Sequence, residues 1–217
     1  MRKIKTASPI IYEKTANGEE MYDIYSRLLK ERIVFLDSIL DVENSNNIIS
    51  QLFWLEKQDS NEPIHLYINC LGGELPAMFA IYDIMRYIKP PIYTFALGIA
   101  ASAAAVLLCA GEKGFRFALP HSEIMIHEPL HDGIGGSTTD VHIYHNTLIK
   151  NREQMLKILA EHTGNSIDKL KQDCSRDFYL DSQEALEYGI IDEIKKVNSS
   201  PVKINKAKAK KTLRVKK

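Results

Sequence analysis

Cysteine is scarce in this sequence: Cys70, Cys109 and Cys174 are the three present in 217 residues. Three thiols cannot all pair within one chain, and these show no metal-ligand spacing, so neither a disulfide framework nor a metal site is expected and the chain suits a reducing compartment. Net charge is missing too, because 28 Lys and Arg balance 28 Asp and Glu. No basic segment followed by an apolar one opens the chain; Met1 to Thr6 leads straight into polar sequence. No signal peptide is expected, and the location these features predict is cytoplasmic. Hydrophobic residues at 45% and charged residues at 26% exclude collagen-like, disulfide-scaffold and fully disordered classes. The length predicts one domain with at most a small appendage.

The zero net charge hides an asymmetry. Pro201 to Lys217 carries eight Lys and Arg and no acid, which leaves residues 1–200 with 20 basic against 28 acidic groups. Its Lys, Ala, Asn and Ser cannot bury enough apolar surface to offset the entropy of ordering, so 197–217 is predicted to be a basic disordered tail. A solvated tail without a specific role is favoured over one that binds nucleic acid or an acidic partner. A membrane span is the other test: Pro90 to Gly111 is a run of 22 uncharged residues. Pro90-Pro91 opens that run, Gly98 interrupts it, and the β-rich Ile92 to Leu97 gives way to an Ala-rich stretch. The pattern predicts buried strand, turn and buried helix, with no membrane contact.

Periodicity supplies the rest of the framework. Apolar residues at Met21, Tyr22, Ile24, Tyr25, Leu28 and Leu29 predict an amphipathic helix over Gly18 to Arg32. Ile33 to Leu36 predicts a strand. Asn44 to Lys57 predicts a helix that starts at an Asn-rich cap and buries Ile48, Ile49, Leu52, Phe53 and Leu55. Strands follow at Ile64 to Asn69, Ile92 to Leu97, Phe115 to Leu119 and Glu123 to His127, with helices at Leu75 to Tyr87 and Ala101 to Ala110 between them. Strand, glycine turn and helix recur at about 30-residue spacing, which implies parallel strands with crossover helices. After a Gly-rich hinge, Gly133 to Gly136, a long helix runs from Thr138 to His162. Short helices at Ile167 to Asp173 and Ser182 to Tyr188, a C-cap at Gly189 and a last strand at Ile190 to Ile194 complete the expectation.

Chemistry concentrates at three positions. Ser102 opens an apolar helix directly after a strand and a sharp turn, amid Gly98, Ala100, Ala101 and Ala103. Free backbone N–H groups and the positive helix end there stabilise a developing oxyanion, and small side chains admit a substrate backbone. Taken alone, a serine at such a helix start is more often a plain N-cap. His127 ends the apolar run Ile124-Met125-Ile126, at a strand end where parallel-sheet sites form. The other histidines read as bland: His65 inside a strand, His121 and His131 in loops, and His142, His145 and His162 at surface-like spacing on the long helix. Asp177, between Arg176 and Phe178-Tyr179-Leu180, is an acid able to orient an imidazole.

The three residues sit within a pattern of ordered blocks that resembles the proteolytic subunit of the Clp proteases. The blocks run from Tyr22-Asp23-Ile24-Tyr25-Ser26-Arg27-Leu28-Leu29-Lys30-Glu31-Arg32-Ile33-Val34-Phe35-Leu36 through Leu66-Tyr67-Ile68-Asn69 with Gly72-Gly73, and Ala80-Ile81-Tyr82-Asp83 with Ile88-Lys89-Pro90. Ala100-Ala101-Ser102, Ala110-Gly111-Glu112-Lys113-Gly114 and Met125-Ile126-His127 with Pro129-Leu130 follow, then Glu187-Tyr188-Gly189-Ile190-Ile191-Asp192. The resemblance spans about Ser8 to Ile194.

The resemblance implies an α/β, ClpP/crotonase-like fold of repeated β-β-α units with a protruding handle helix at about 130–162. It implies a peptidase domain over 18–196 and an axial-loop segment over 1–17, of which Met1 to Ala7 is either a removed propeptide or a disordered start. By position, Ser102 falls on the family's nucleophile, His127 on its general base and Asp177 on the orienting acid. Gly73 and Ala103 fall on the oxyanion-hole donors. The separations, 25 and 50 residues, fit the family's pattern, the second with room for a one-residue insertion near the hinge. The resemblance further implies a serine endopeptidase built as two stacked heptameric rings of identical subunits, fed with unfolded proteins by a Clp-family AAA+ unfoldase. The sequence has no Gly-x-x-x-x-Gly-Lys-Ser/Thr loop, so no cofactor is expected here and ATP is spent by the partner.

Two departures stand out. The family's Ser-Pro-Gly-Gly is here Cys70-Leu71-Gly72-Gly73, followed by the charged Glu74, and Ala103 stands where methionine is common. Loss of the proline frees the loop, and Glu74 puts a charge near the substrate groove, so an altered or slower peptidase is expected. A catalytically weak or silent ring subunit is the alternative, and an acyl-CoA enzyme of the crotonase type is a third reading that the ordered blocks disfavour.

Overall fold

The structure, a computed structural model, describes residues 9–15, 18–130, 133 and 135–196. The expectations for Met1 to Ala7, for His131, for the tail and for Ile134 of the hinge lie outside these residues. The described elements are β1 (Ile10–Thr15), β2 (Gly18–Asp23), α1 (Ile24–Lys30), β3 (Ile33–Leu36), α2 (Val42–Gln58), β4 (Ile64–Cys70), α3 (Leu75–Tyr87) and β5 (Ile92–Ala101). After them come α4 (Ala103–Cys109), β6 (Arg116–Ala118), β7 (Glu123–Ile126), α5 (Thr138–Thr163), α6 (Ile167–Asp173), β8 (Phe178–Leu180), α7 (Ser182–Tyr188) and β9 (Glu193–Ile194).

A seven-stranded sheet organises the chain in the order β3-β4-β5-β6-β9, with β7 paired to β5 and β8 to β7. All its pairings are parallel except β7 with β8. This is the mixed α/β fold expected, with crossover helices between parallel strands. Strand β5 serves two neighbours along one edge. Thr94 to Ala96 pair with β6, and Ile99 to Ala101 pair with β7. Between them β5 gains residues over β4, since Ile68 pairs with Ala96 but Cys70 with Ala100.

The uncharged run therefore continues as strand beyond Gly98 and becomes helix only at Ala103. All seven residues of α4 are buried, which is what a helix apolar all round requires. Among the described residues no helix is long and apolar enough to cross a membrane. Helix α2 starts on Asp41, whose side chain accepts the Asn44 N–H, rather than on the asparagines. It buries Ile48, Leu52 and Leu55. Phe53 and Trp54 stay exposed, contrary to expectation for Phe53, since the buried positions Ile48, Leu52 and Leu55 at helical spacing define another face of α2.

The expected helix over Gly18 to Arg32 is a correction. Gly18–Asp23 is instead a strand paired antiparallel with β1, from Thr15 opposite Gly18 to Ile10 opposite Asp23. Asp23 then accepts the N–H groups of Tyr25 and Ser26 and starts a helix of seven residues. Helix α5 opens with a reciprocal capping box between Ser137 and Asp140 and ends at Gly164. Its first ten residues are exposed, whereas Met155, Leu156, Ile158 and Leu159 are buried, so the N-terminal half stands off the body as a handle would.

An ion pair locks the far edge of the sheet. Arg116, 1% exposed, donates through Nε and Nη2 to Asp192 at 2.7 and 2.6 Å, and through Nη1 to the His162 carbonyl at 2.9 Å. It joins β6, β9 and the end of α5. His162 is thus not the surface residue its spacing suggested. It is half-buried with Nε2 3.2 Å from the Tyr82 hydroxyl, and burial lowers its pKa.

Candidate active site

Register brings Ser102, His127 and Asp177 together. Ala101 pairs with Met125 in the parallel β5–β7 ladder, so Ser102, one step on, lies level with the end of β7. Ile126 pairs with Phe178 in the antiparallel β7–β8 ladder. His127, one residue after Ile126, therefore faces Asp177, one residue before Phe178. Three strand ends converge on one point, and each carries one polar side chain there.

The atoms are in hydrogen-bond reach. Ser102 Oγ is 2.8 Å from His127 Nε2, and His127 Nδ1 is 3.1 Å from Asp177 Oδ1. A carboxylate only accepts, which assigns the ring proton to Nδ1 and leaves Nε2 to accept the Ser102 hydroxyl proton. The His127 side chain is 12% exposed and that of Asp177 54%, so solvent reaches the acid end of the array.

Ser102 itself is held in an uncommon backbone conformation, φ 55° and ψ −124°, at the junction of β5 and α4. Its N–H donates to the Met125 carbonyl at 2.7 Å, which fixes the sharp turn to β7. Its side chain makes no capping bond to α4. Of the two readings of this serine, the plain N-cap is thereby removed: the hydroxyl is turned to the histidine. A strained non-glycine residue at a strand-to-helix turn is the form in which nucleophilic serines are presented.

The loop Cys70 to Glu74 covers this junction. The Leu40 N–H donates to the Gly72 carbonyl at 2.9 Å and the Glu74 N–H to the Leu40 carbonyl at 2.8 Å. Those two bonds turn the flanking peptide groups toward Leu40, and the Gly73 N–H to the opposite side, where β5 and Ser102 lie. Both glycines are required. A Cβ on Gly73 would stand 2.1 Å from the Leu40 oxygen, and one on Gly72 2.8 Å from Ser102 Cβ and 3.1 Å from the Ala103 nitrogen. Among the described residues neither the Gly73 nor the Ala103 N–H has an acceptor. Leu71 and Glu74 are exposed beside them, the latter as the residue before α3.

The thiols are poor rivals to Ser102 as nucleophile. All three cysteines are free and buried. Burial pushes Cys109 and Cys174 up to about 12, so neither is a thiolate near neutral pH. Of the remaining histidines, His142, His145 and His121 are exposed, and His65 sits in β4 against Tyr93 and Phe95. Among the described residues none of these hydrogen-bonds to Ser102. What the sequence reading passed over are backbone groups: the Met125 carbonyl and the Leu40 peptide carry no residue-type signal, and only the pairing of strands reveals them.

The model of the Clp protease family matches residues 16–198, which include every residue of the site. With that match over most of its length, the chain belongs to the Clp protease family and is a peptidase of the ClpP type.

Proposed function

We propose that the chain is a serine endopeptidase acting through Ser102, His127 and Asp177. Nε2 of His127 takes the hydroxyl proton as Ser102 Oγ attacks the carbonyl carbon of a peptide bond. The Gly73 and Ala103 N–H groups receive the oxyanion, neither donor having another acceptor among the described residues. His127 then gives its proton to the departing amine, and an acyl-enzyme remains on Ser102. Water, activated by His127, attacks that ester and releases the acid. Asp177 keeps the Nδ1 proton in place and balances the imidazolium charge during both steps.

The observation that carries this reading is the pair of hydrogen bonds in series, at 2.8 and 3.1 Å, on a serine with no other side-chain task. Around it we place the quaternary arrangement typical of the family: two stacked heptameric rings, joined through the exposed half of α5 and fed with unfolded chains by an AAA+ unfoldase that spends the ATP. An enclosed chamber reconciles low sequence selectivity with the survival of folded proteins.

A fluorophosphonate probe tests the chemistry without a choice of substrate. Stoichiometric labelling of the purified chain at Ser102 is expected, abolished in Ser102→Ala and slowed at least about 100-fold in His127→Ala. Absence of labelling in the parent would instead favour a silent ring subunit.

A further inference from the structure

Of the groups that the proposed reaction leaves without a task, Cys70 has the most specific surroundings. It ends β4, is 3% exposed and pairs with Ala100. Its Sγ lies 3.0 Å from the Ser38 carbonyl oxygen and 3.2 Å from the Gly72 nitrogen. A thiol has one proton to give and lone pairs to accept with. Donation to Ser38 and acceptance from Gly72 use each function once. Burial raises the thiol above its ordinary value, which keeps the proton on sulfur.

The consequence lies two residues further on. The Gly72 N–H is tied back to Cys70 and the Gly72 carbonyl is tied to Leu40, so both peptide groups flanking Gly72 are held. Leu71, exposed and without the fixed φ of a proline, adds no restraint of its own. Gly72 and Gly73 both lie at positive φ, 98° and 150°, where an unrestrained glycine pair samples many conformations.

We propose that the Cys70 thiol is a positioning group for the oxyanion hole: by bridging the Ser38 carbonyl and the Gly72 N–H, it holds the Gly72-Gly73 peptides so that the Gly73 N–H faces Ser102. The inference rests on the reading of Gly73 as an oxyanion donor. Because that donor matters only once charge has developed on the substrate oxygen, its misplacement lowers kcat rather than raising KM.

The test compares the full chain with Cys70→Ser, which keeps a donor and an acceptor, and with Cys70→Ala and Cys70→Val, which have neither and differ in volume. Two readouts are taken: hydrogen exchange of the Gly72 and Glu74 amides, and kcat and KM on a fluorogenic peptide with Ser102→Ala as blank. Faster exchange at both amides and a kcat lowered about 10-fold, with KM within about 2-fold, are expected for the Ala and Val variants. Cys70→Ser is expected to stay within about 3-fold of the parent. Parent-like exchange and kcat in Cys70→Ala would overturn the proposal, as would equal impairment in Cys70→Ser or a change in KM alone. Loss of fold in both the Ala and Val variants would assign the thiol to the core and overturn it equally. A parent without Ser102-dependent cleavage would sink the peptidase reading, and amide exchange would then decide the role of Cys70 by itself.

Discussion

Nδ1 of His127 stands 3.1 Å from Oδ1 of Asp177, fifty residues further along the chain. The contact is made by the antiparallel pairing of Ile126 with Phe178, the immediate neighbours of the two residues. It orients the imidazole, yet leaves the carboxylate open to water.

That exposure sets the size of the first prediction. Replacement of a buried orienting acid by its amide lowers kcat about 10⁴-fold. At a half-exposed position, where water can partly take over, Asp177→Asn is expected to lower kcat about 100-fold with KM within about 3-fold. Steady-state peptide cleavage measures it. A fall of less than about 3-fold would remove Asp177 from the mechanism.

Gly73→Ala asks whether the loop geometry matters. A Cβ there would meet the Leu40 carbonyl oxygen at 2.1 Å, at a φ of 150°. The backbone must move, and with it the Gly73 N–H. A kcat loss of at least about 100-fold is expected, with a stability loss of about 2 kcal/mol by thermal melting. Unchanged kcat would show that this N–H faces no reacting atom.

How much of this was open to a reader of the sequence varies by element. Helices α3 and α7 have the ends that Gly72-Gly73, Pro90 and Gly189 dictate, since breakers act locally. The stretch Gly18–Asp23 was misread because Met21 and Tyr22 fit a helical stripe as well as a strand. Only its pairing with Ile10–Thr15 decides between them. Strand β8 is three residues long and was missed altogether, although it delivers Asp177. Ser102 and His127 stand out through the ordered blocks that contain them, whereas Asp177 lies outside every block and is marked only by its place in the chain. The orientation of the Gly73 N–H was not legible, because it depends on Leu40, a residue with no polar side chain to attract notice.

Asp192 offers a test of the fold by pH. Burial by itself raises its carboxyl, but hydrogen bonds and charge from Arg116, together with the Arg116 and Gly114 N–H groups, outweigh burial and hold it down to about 2. A depressed carboxyl contributes stability above its unfolded pKa of about 3.8 and loses it as pH falls through about 2. The contribution at neutral pH is about 2 kcal/mol. Asp192→Asn also strands the buried Arg116, so a loss of about 3 kcal/mol at pH 7 is expected, narrowing toward pH 2. Denaturant melts at both pH values measure it. A difference that is the same at both would show that the pair does not couple to protonation.

The central claim is that Ser102 is the nucleophile of a peptidase whose activity belongs to an assembled particle. Cleavage of a short fluorogenic peptide by the full chain and by Ser102→Ala, with the mass of each determined by light scattering, tests it directly. The account predicts that both form a particle of about fourteen subunits and that Ser102→Ala loses at least about 10⁴-fold in kcat. Equal cleavage by the two chains would contradict it, as would a well-formed parent particle that cleaves nothing.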